Sequence, residues 1–499
     1  MVSELIIMFA LLSFIFLLIV FIYIKSPRLS ENEPPLIPYT IPVIGHTFSY
    51  LFNTENFIKK CLKEYGEPFN IIIFGKVTTV VAQKYIPEVT KAHENFDSFE
   101  VLKEFVPLHF ILDYNPFDII DFHAKTTREQ ISGKLSLYFD KMQEDIFYSL
   151  DKWIGECNEP RSIKSIWNVC NHVTAKLIAN ICIGEEASQH EDVVHSFAVL
   201  SHDMNRFFFL PPFLSFIHQK LHEFVISLPF LIGFNPTTKH KKVLINRMKP
   251  VVENRIQQKK ILGDSYKQSD DILEFYMSQP NFDPSNVNYN YLADLLFFLI
   301  VVGIVTTGRS LANLLFDYAG RPEYWDELYE EASTFNEECN GKFTLNDINK
   351  MTKLDSFIRE SLRHTGDMII VPRAVTTDHY TFSNGYTVPK GRHVYDFSED
   401  CLFSESQYGP DSKSFKPFQF VSQNVSASKV DRTYVIFGGG RHACPGRFYA
   451  VLVLKLFLYH VILKYHVRTE NGNTPKKLMV GPFVFPSKES LIFERRKET

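Results

Sequence analysis

One cysteine, Cys444, lies within TYVIFGGGRHACPGRFYA, residues 433–450, between a β-branched run and an aliphatic helical pattern. Gly438, Gly439 and Gly440 precede it, and Pro445 and Gly446 follow. From Arg447 onward, RFYAVLVLKLFLYHVILKYH contains no proline or glycine and predicts a long buried helix. Pro445 suits the first helical position, which puts Cys444 at the helix N-terminus. Unpaired backbone N–H groups and the helix dipole there favour a thiolate over a thiol. The glycines admit close approach of backbone donors and of a flat ligand. Together these features describe one soft anionic metal ligand whose opposite face is free. A haem iron held by a single thiolate fits, a ligation that pushes electron density toward O–O cleavage. Arg441 and His442 are placed to meet the carboxylates of such a group. The plainer alternative is a buried cysteine at a helix start.

Composition narrows the choice. The chain has 499 residues and seven scattered cysteines, none spaced as C-x-x-C, which argues against a disulfide framework and a zinc ribbon. A reducing compartment suits such thiols. A net charge of −4 gives no reason to expect a nucleic acid as partner. The 46 phenylalanines require apolar surface to be buried in a core, a pocket or a membrane.

The positioning elements are mostly helical. Residues 120–370 carry helical periods with few breakers, while NIIIFGKVTTVVA (70–82), YTFSNGYTVPKG and LMVGPFVFPSKESLIFERR predict small peripheral hairpins. The expected fold class is therefore mostly α with small β-sheets. Leu5–Ile24 is an apolar run of about 30 Å as a helix, followed by Lys25 and Arg28, which predicts a membrane anchor with a cytosolic body. A cleaved signal peptide is the competing reading, but its apolar core would be shorter and its charge would precede it. The expected division is an anchor over 1–28, a proline-rich hinge over 29–48 and a catalytic body over 49–499. RFFFLPPFLSFI (206–217) is too short to span, and reads either as core packing or as a patch dipping into a membrane surface. The chain has no glycine-rich nucleotide loop, so electrons would come from another protein.

FGGGRHACPGR closely resembles the haem-binding run of cytochromes P-450, F-x-x-G-x-[basic]-x-C-x-G, with Phe437, Gly440, His442, Cys444 and Gly446 in its positions. The resemblance extends over essentially the whole chain and is greatest to fungal microsomal members. It implies a cytochrome P-450-like fold, haem b on Cys444, and cofactor contacts from Phe437, Gly438, Gly440, Arg441, His442, Gly446 and Arg373. Glu360 and Arg363, in KLDSFIRESLRH, resemble the family's structural E-x-x-R pair. In YGPDSKSFKPFQF, Gln419 stands where the family usually has an arginine, so the expected Glu–Arg–Arg lock lacks one charged arm. In the long apolar stretch ADLLFFLIVVGIVTTGRSLANLLF, Gly303, Thr306 and Thr307 match the oxygen-binding motif, but Val305 replaces its acid. Asp294 lies about 16 Å away along a helix and cannot substitute.

The resemblance implies an oxidoreductase acting on paired donors with incorporation of O2. Its expected partners are an NADPH-dependent flavoprotein reductase, cytochrome b5 as a further donor, and an apolar lipid, sterol or terpenoid-like substrate. The expected location is the endoplasmic reticulum membrane, single-pass, facing the cytosol. FVPLHFIL and RFFFLPPFL would line or gate the apolar pocket. Val305 keeps open a haem-thiolate isomerase, dehydratase or peroxide-using enzyme. A haem-binding protein without turnover is the reading from another class.

Overall fold

The computed structural model describes residues 13, 16–17, 19–105, 108–208, 212–235, 237–369 and 372–497. Five helices fix the centre: α1 (Leu135–Trp153), α2 (Ile166–Ser188), α3 (Tyr289–Ala319), α4 (Thr352–Thr365) and α5 (Arg447–Lys464). α3 begins where the Asn288 side chain accepts the Tyr291 N–H, and ends at Gly320. It is apolar around most of its circumference, and such a helix belongs inside a protein or a membrane. Here it is the interior: α2, α4 and α5 all pack on it. Among the described residues it is the one helix long and apolar enough to cross a bilayer, and its burial in the body explains that composition.

The close crossing of α2 and α3 depends on Gly308. A Cβ there would stand 2.1 Å from the side-chain oxygen of Asn171 and 3.4 Å from its Cα. A glycine inside an aliphatic helix is the sequence mark of such an approach.

A five-stranded sheet flanks the helices. Its strands are β1 (Phe69–Ile73), β2 (Lys76–Val81), β3 (Phe96–Asp97), β4 (Arg373–Val375) and β5 (His393–Asp396), in spatial order β1-β2-β5-β4-β3. β2 and β5 run parallel, and the other neighbours are antiparallel. All three expected hairpins are present: β1–β2, His379–Thr381 with Thr387–Pro389, and Leu478–Val480 with Phe483–Phe485. The last segment then departs, since Leu491–Arg495 joins a separate three-stranded sheet with Arg161–Ile163 and Tyr465–Thr469.

Much of the apolar stretch 5–24 lies outside the described residues. In its described part, residues 19–24 are helical, with Ile19, Tyr23 and Ile24 exposed. The proline-rich segment is no free spacer. Pro35 accepts the Asn70 N–H at 2.8 Å, and the Ile37 N–H donates to the Asn70 carbonyl at 2.9 Å. A sheet edge suits proline, whose missing N–H would otherwise interrupt a ladder. The Arg392–Glu33 ion pair, 2.6 Å, fastens the same segment to the body.

Candidate active site

The Cys444 loop is closed by backbone bonds. The Cys444 N–H donates to the Phe437 carbonyl at 2.8 Å, and the Gly438 N–H donates to Val435 at 2.8 Å. The Ser132 hydroxyl donates to the Pro445 carbonyl at 2.7 Å, tying the loop to the turn that precedes α1. Pro445, expected at the first helical position, instead precedes the N-cap: Gly446 caps the helix and α5 starts at Arg447. The physical reason is the turn through Pro445 and Gly446, which is needed to bring the loop back over Phe437.

That displacement matters for the sulfur. Burial raises the Cys444 thiol above its ordinary value, while the Gly446 and Arg447 N–H groups and the Arg447 guanidinium pull the other way more weakly. The helix-start N–H groups therefore act in the expected direction, and burial opposes them in the free side chain. A coordinating metal removes such a proton outright.

Two glycines are set by contact with Thr90. A Cβ on Gly439 would lie 2.9 Å from the Thr90 methyl group, and one on Gly440 would lie 2.8 Å from the Thr90 carbonyl oxygen. Gly440 also has φ +62°, so a side chain there adds left-handed strain of about 1–2 kcal/mol to overpacking of about 1–3 kcal/mol. Gly440→Ala is expected to lower both the unfolding midpoint and the haem-to-protein ratio, read by thermal denaturation and haem absorbance. By contrast, a Cβ on Gly446 would meet only an ordinary contact with Thr127, at 3.6 Å.

Positive groups gather beside the loop. His442 is exposed and its ring lies 6.2 Å from that of His93. Partial burial lowers its pKa, Asp97 opposes this, and Arg373, His93 and Arg441 add repulsion. Arg373 is buried at the start of β4 and pairs with Asp396 at the end of β5. Two arginines and two histidines thus stand here with two carboxylates, Asp97 and Asp396, and supply N–H donors of the kind that meet the carboxylates of haem.

On α3 the buried surface is interrupted in mid-helix. Val302 is 51% exposed, and Thr306, one turn on, is exposed too, whereas Ile300, Ile304, Thr307 and Gly308 are buried. Spacing of four puts Val302 and Thr306 on one face. The partly accessible Phe298, Val305 and Arg309 extend that stripe, which carries no acidic side chain. Gly303 lies at its margin, where an added Cβ would stand 3.4 Å from Ile178 of α2. The Thr306 hydroxyl donates to the Val302 carbonyl at 2.9 Å. Asp294 is fully buried and engaged elsewhere, accepting from the Asp113 N–H at 2.8 Å and from Lys241 at 2.9 Å.

On α4, Glu360 and Arg363 form the expected pair. Arg363 donates Nε and Nη2 to the two Glu360 oxygens, each at 2.7 Å, and Nη1 to the carbonyls of Leu402 and Ser412. Gln419 fills the third position by donating to Glu360 at 2.8 Å, joined by the Lys416 N–H at 2.7 Å. Burial alone would raise the Glu360 carboxyl, but Arg363 and His364 hold it down to about 2.

Two groups had no sequence motif to announce them. Buried Arg359 donates to the Ser426 and Lys429 carbonyls and to Asp431, and lies 3.7 Å over the Tyr434 ring. Buried His123 bonds Tyr114 through Nε2 at 2.9 Å and faces Phe298 at 4.5 Å, while its Nδ1 has no partner.

A soft sulfur donor in a glycine loop, neighbouring arginine and histidine donors and an accessible helical face fit haem as the resident group. Residues 34–492 match the cytochrome P450 family. The cytochrome P450 monooxygenase olcJ of Penicillium canescens is 21% identical over 92% of this chain and 89% of its own. The cytochrome P450 monooxygenase ccsG of Aspergillus clavatus is 24% identical over 84% and 83%, respectively. The cytochrome P450 monooxygenase terK of Tolypocladium album is 22% identical over 95% and 92%. With a match running through the sheet, α3, the Glu360–Arg363 pair and the Cys444 loop, the chain belongs to the cytochrome P450 family, haem-thiolate oxidoreductases that incorporate oxygen from O2.

Proposed function

We infer that this protein inserts one atom of O2 into an apolar lipid, sterol or terpenoid-like molecule, with electrons from an NADPH-dependent flavoprotein reductase at the endoplasmic reticulum membrane. The observation that carries this reading is the apolar accessible stripe around Val302 and Thr306 on an otherwise buried α3. Exposed apolar side chains at Phe213, Ile217, Phe224, Leu231, Ile232 and Phe234 support a body that rests on a membrane surface. Residues 106–107 and 209–211 of the phenylalanine-rich stretches lie outside the described residues.

Cys444 would hold the iron through its sulfur, and Arg441, His442 and Arg373 would face the carboxylates. When bound, haem supplies the oxygen chemistry, and the thiolate supplies electron density to it. Val302 and Val305 present apolar surface to the substrate. The Thr306 hydroxyl spends its proton on the Val302 carbonyl, so its oxygen is left as an acceptor toward the cleft. Protons would arrive by water, since Val305 has none to give.

That same pair of residues favours a second reading, an isomerisation, dehydration or peroxide-driven reaction that needs no external protons. Product analysis with a reconstituted reductase and a native lipid extract tests the first. NADPH and O2 consumed together with a hydroxylated product support it; turnover of a hydroperoxide without reductase overturns it in favour of the second. Val305→Asp is expected to raise the share of electrons reaching product, by up to about tenfold, because a positioned acid speeds proton transfer. An unchanged ratio of product to NADPH would show that the missing acid has no functional weight.

A further inference from the structure

Arg309 lies on the open stripe of α3, three residues beyond Thr306. Its guanidinium meets Asp367 in two parallel bonds, Nη1 to Oδ1 at 3.0 Å and Nη2 to Oδ2 at 2.9 Å. Both side chains keep about a fifth of their surface accessible, 19% and 21%. Asp367 is fixed from behind: it accepts the Val484 N–H at 2.9 Å, and its carbonyl accepts the Ser398 hydroxyl at 2.5 Å. Arg309 also lies 5.8 Å from the ring centre of Phe485. Trp167 stands 5.7 Å from the same ring, and its buried Nε1–H has no partner. Three separate parts of the chain thus converge on one polar point at the end of the accessible stripe: α3, the segment after α4 and the C-terminal hairpin.

A pair held in two parallel bonds and still in part accessible has a geometry suited to recognition. A guanidinium bound end-on through both Nη atoms retains its Nε–H and two lateral N–H donors. Because Asp367 neutralises it, those donors suit a neutral oxygen acceptor, while a carboxylate would meet the Asp367 charge.

We propose that Arg309, oriented by Asp367, is a specificity-determining residue that hydrogen-bonds a hydroxyl or ketone oxygen on an otherwise apolar substrate. The enzyme would therefore oxidise an already oxygenated terpenoid-like molecule in preference to its parent hydrocarbon. This inference rests on the stripe being the substrate site.

The test is equilibrium titration of the haem-loaded enzyme with farnesene, farnesol and farnesoic acid, read by haem spin-state shift and by equilibrium dialysis. Farnesol is expected to bind about tenfold more tightly than farnesene, as for a site built around a hydrogen bond. Arg309→Leu should erase that ratio and leave farnesene unchanged. Asp367→Asn, which preserves shape, should uncover the Arg309 charge and move the acid-to-alcohol preference by about tenfold toward farnesoic acid. Equal binding of farnesol and farnesene by the wild type would overturn the inference, as would an unmoved acid-to-alcohol ratio in Asp367→Asn with its CO spectrum intact. Uniform weakening of all three probes in Arg309→Leu would assign the pair a structural role and overturn it too. If none of the three probes binds the wild type, the reading of the stripe as substrate site fails, and the inference with it.

Discussion

Cys444→Ser is expected to abolish the thiolate-type spectrum of the reduced, CO-bound protein and to lower oxygenation by more than about 100-fold. That figure is the upper range for losing a group that merely supports a metal ligand, and the ligand itself counts for more. Haem binding should survive in part, because the positive groups beside the loop do not depend on the sulfur. Arg373, Arg441, His442 and His93 would remain to face the carboxylates, and the Cys444 N–H bond to Phe437 is a backbone bond that serine keeps. Haem content and CO difference spectra of the two proteins separate these contributions. An unaltered spectrum in the variant would remove Cys444 as the ligand. A second contrast follows from the buried thiol: since burial raises it and the helix end does not compensate, haem-free protein should alkylate slowly at Cys444 near neutral pH.

What the sequence made legible was whatever local spacing encodes. The Cys444 loop, the Glu360–Arg363 pair and the three hairpins each occupy a short window, and each stands where its residues predicted. One feature within such windows was misread. Pro445 lies outside α5, because loop closure over Phe437 overrides its preference for a helix start. Burial, which opposes the helix-start N–H groups at the thiol, is a property of the packed body that no window displays. Contacts between distant segments left little local trace. Arg309 finds Asp367 fifty-eight positions away, and Arg359 captures carbonyls at 426 and 429. Gly308 alone carried a usable hint, since a glycine inside an aliphatic helix asks what lies against it. At Gln419, where the resemblance implied an arginine, the charge is lost, yet a hydrogen bond to Glu360 remains.

The same carboxylate yields the largest expected effect on stability. Glu360 is fully buried, and Arg363 is 1% exposed, so Glu360→Gln leaves a buried guanidinium without its counter-charge. The expected cost is about 3–5 kcal/mol. Gln419 cannot offset it, since its amide donates to the very oxygen that the substitution neutralises. The pH dependence has a definite sign. Folding depresses the Glu360 carboxyl from its ordinary 4.5 to about 2, so its contribution is complete above about pH 4.5 and is lost as pH falls toward 2. A shift of that size corresponds to about 3 kcal/mol. Denaturant unfolding of wild type and Glu360→Gln between pH 6 and 3 should therefore show a gap that is constant down to about pH 4.5 and then narrows. A gap that stayed constant down to pH 3 would mean that Glu360 is not held ionised by Arg363. No gap at any pH would mean that the pair does not stabilise the fold.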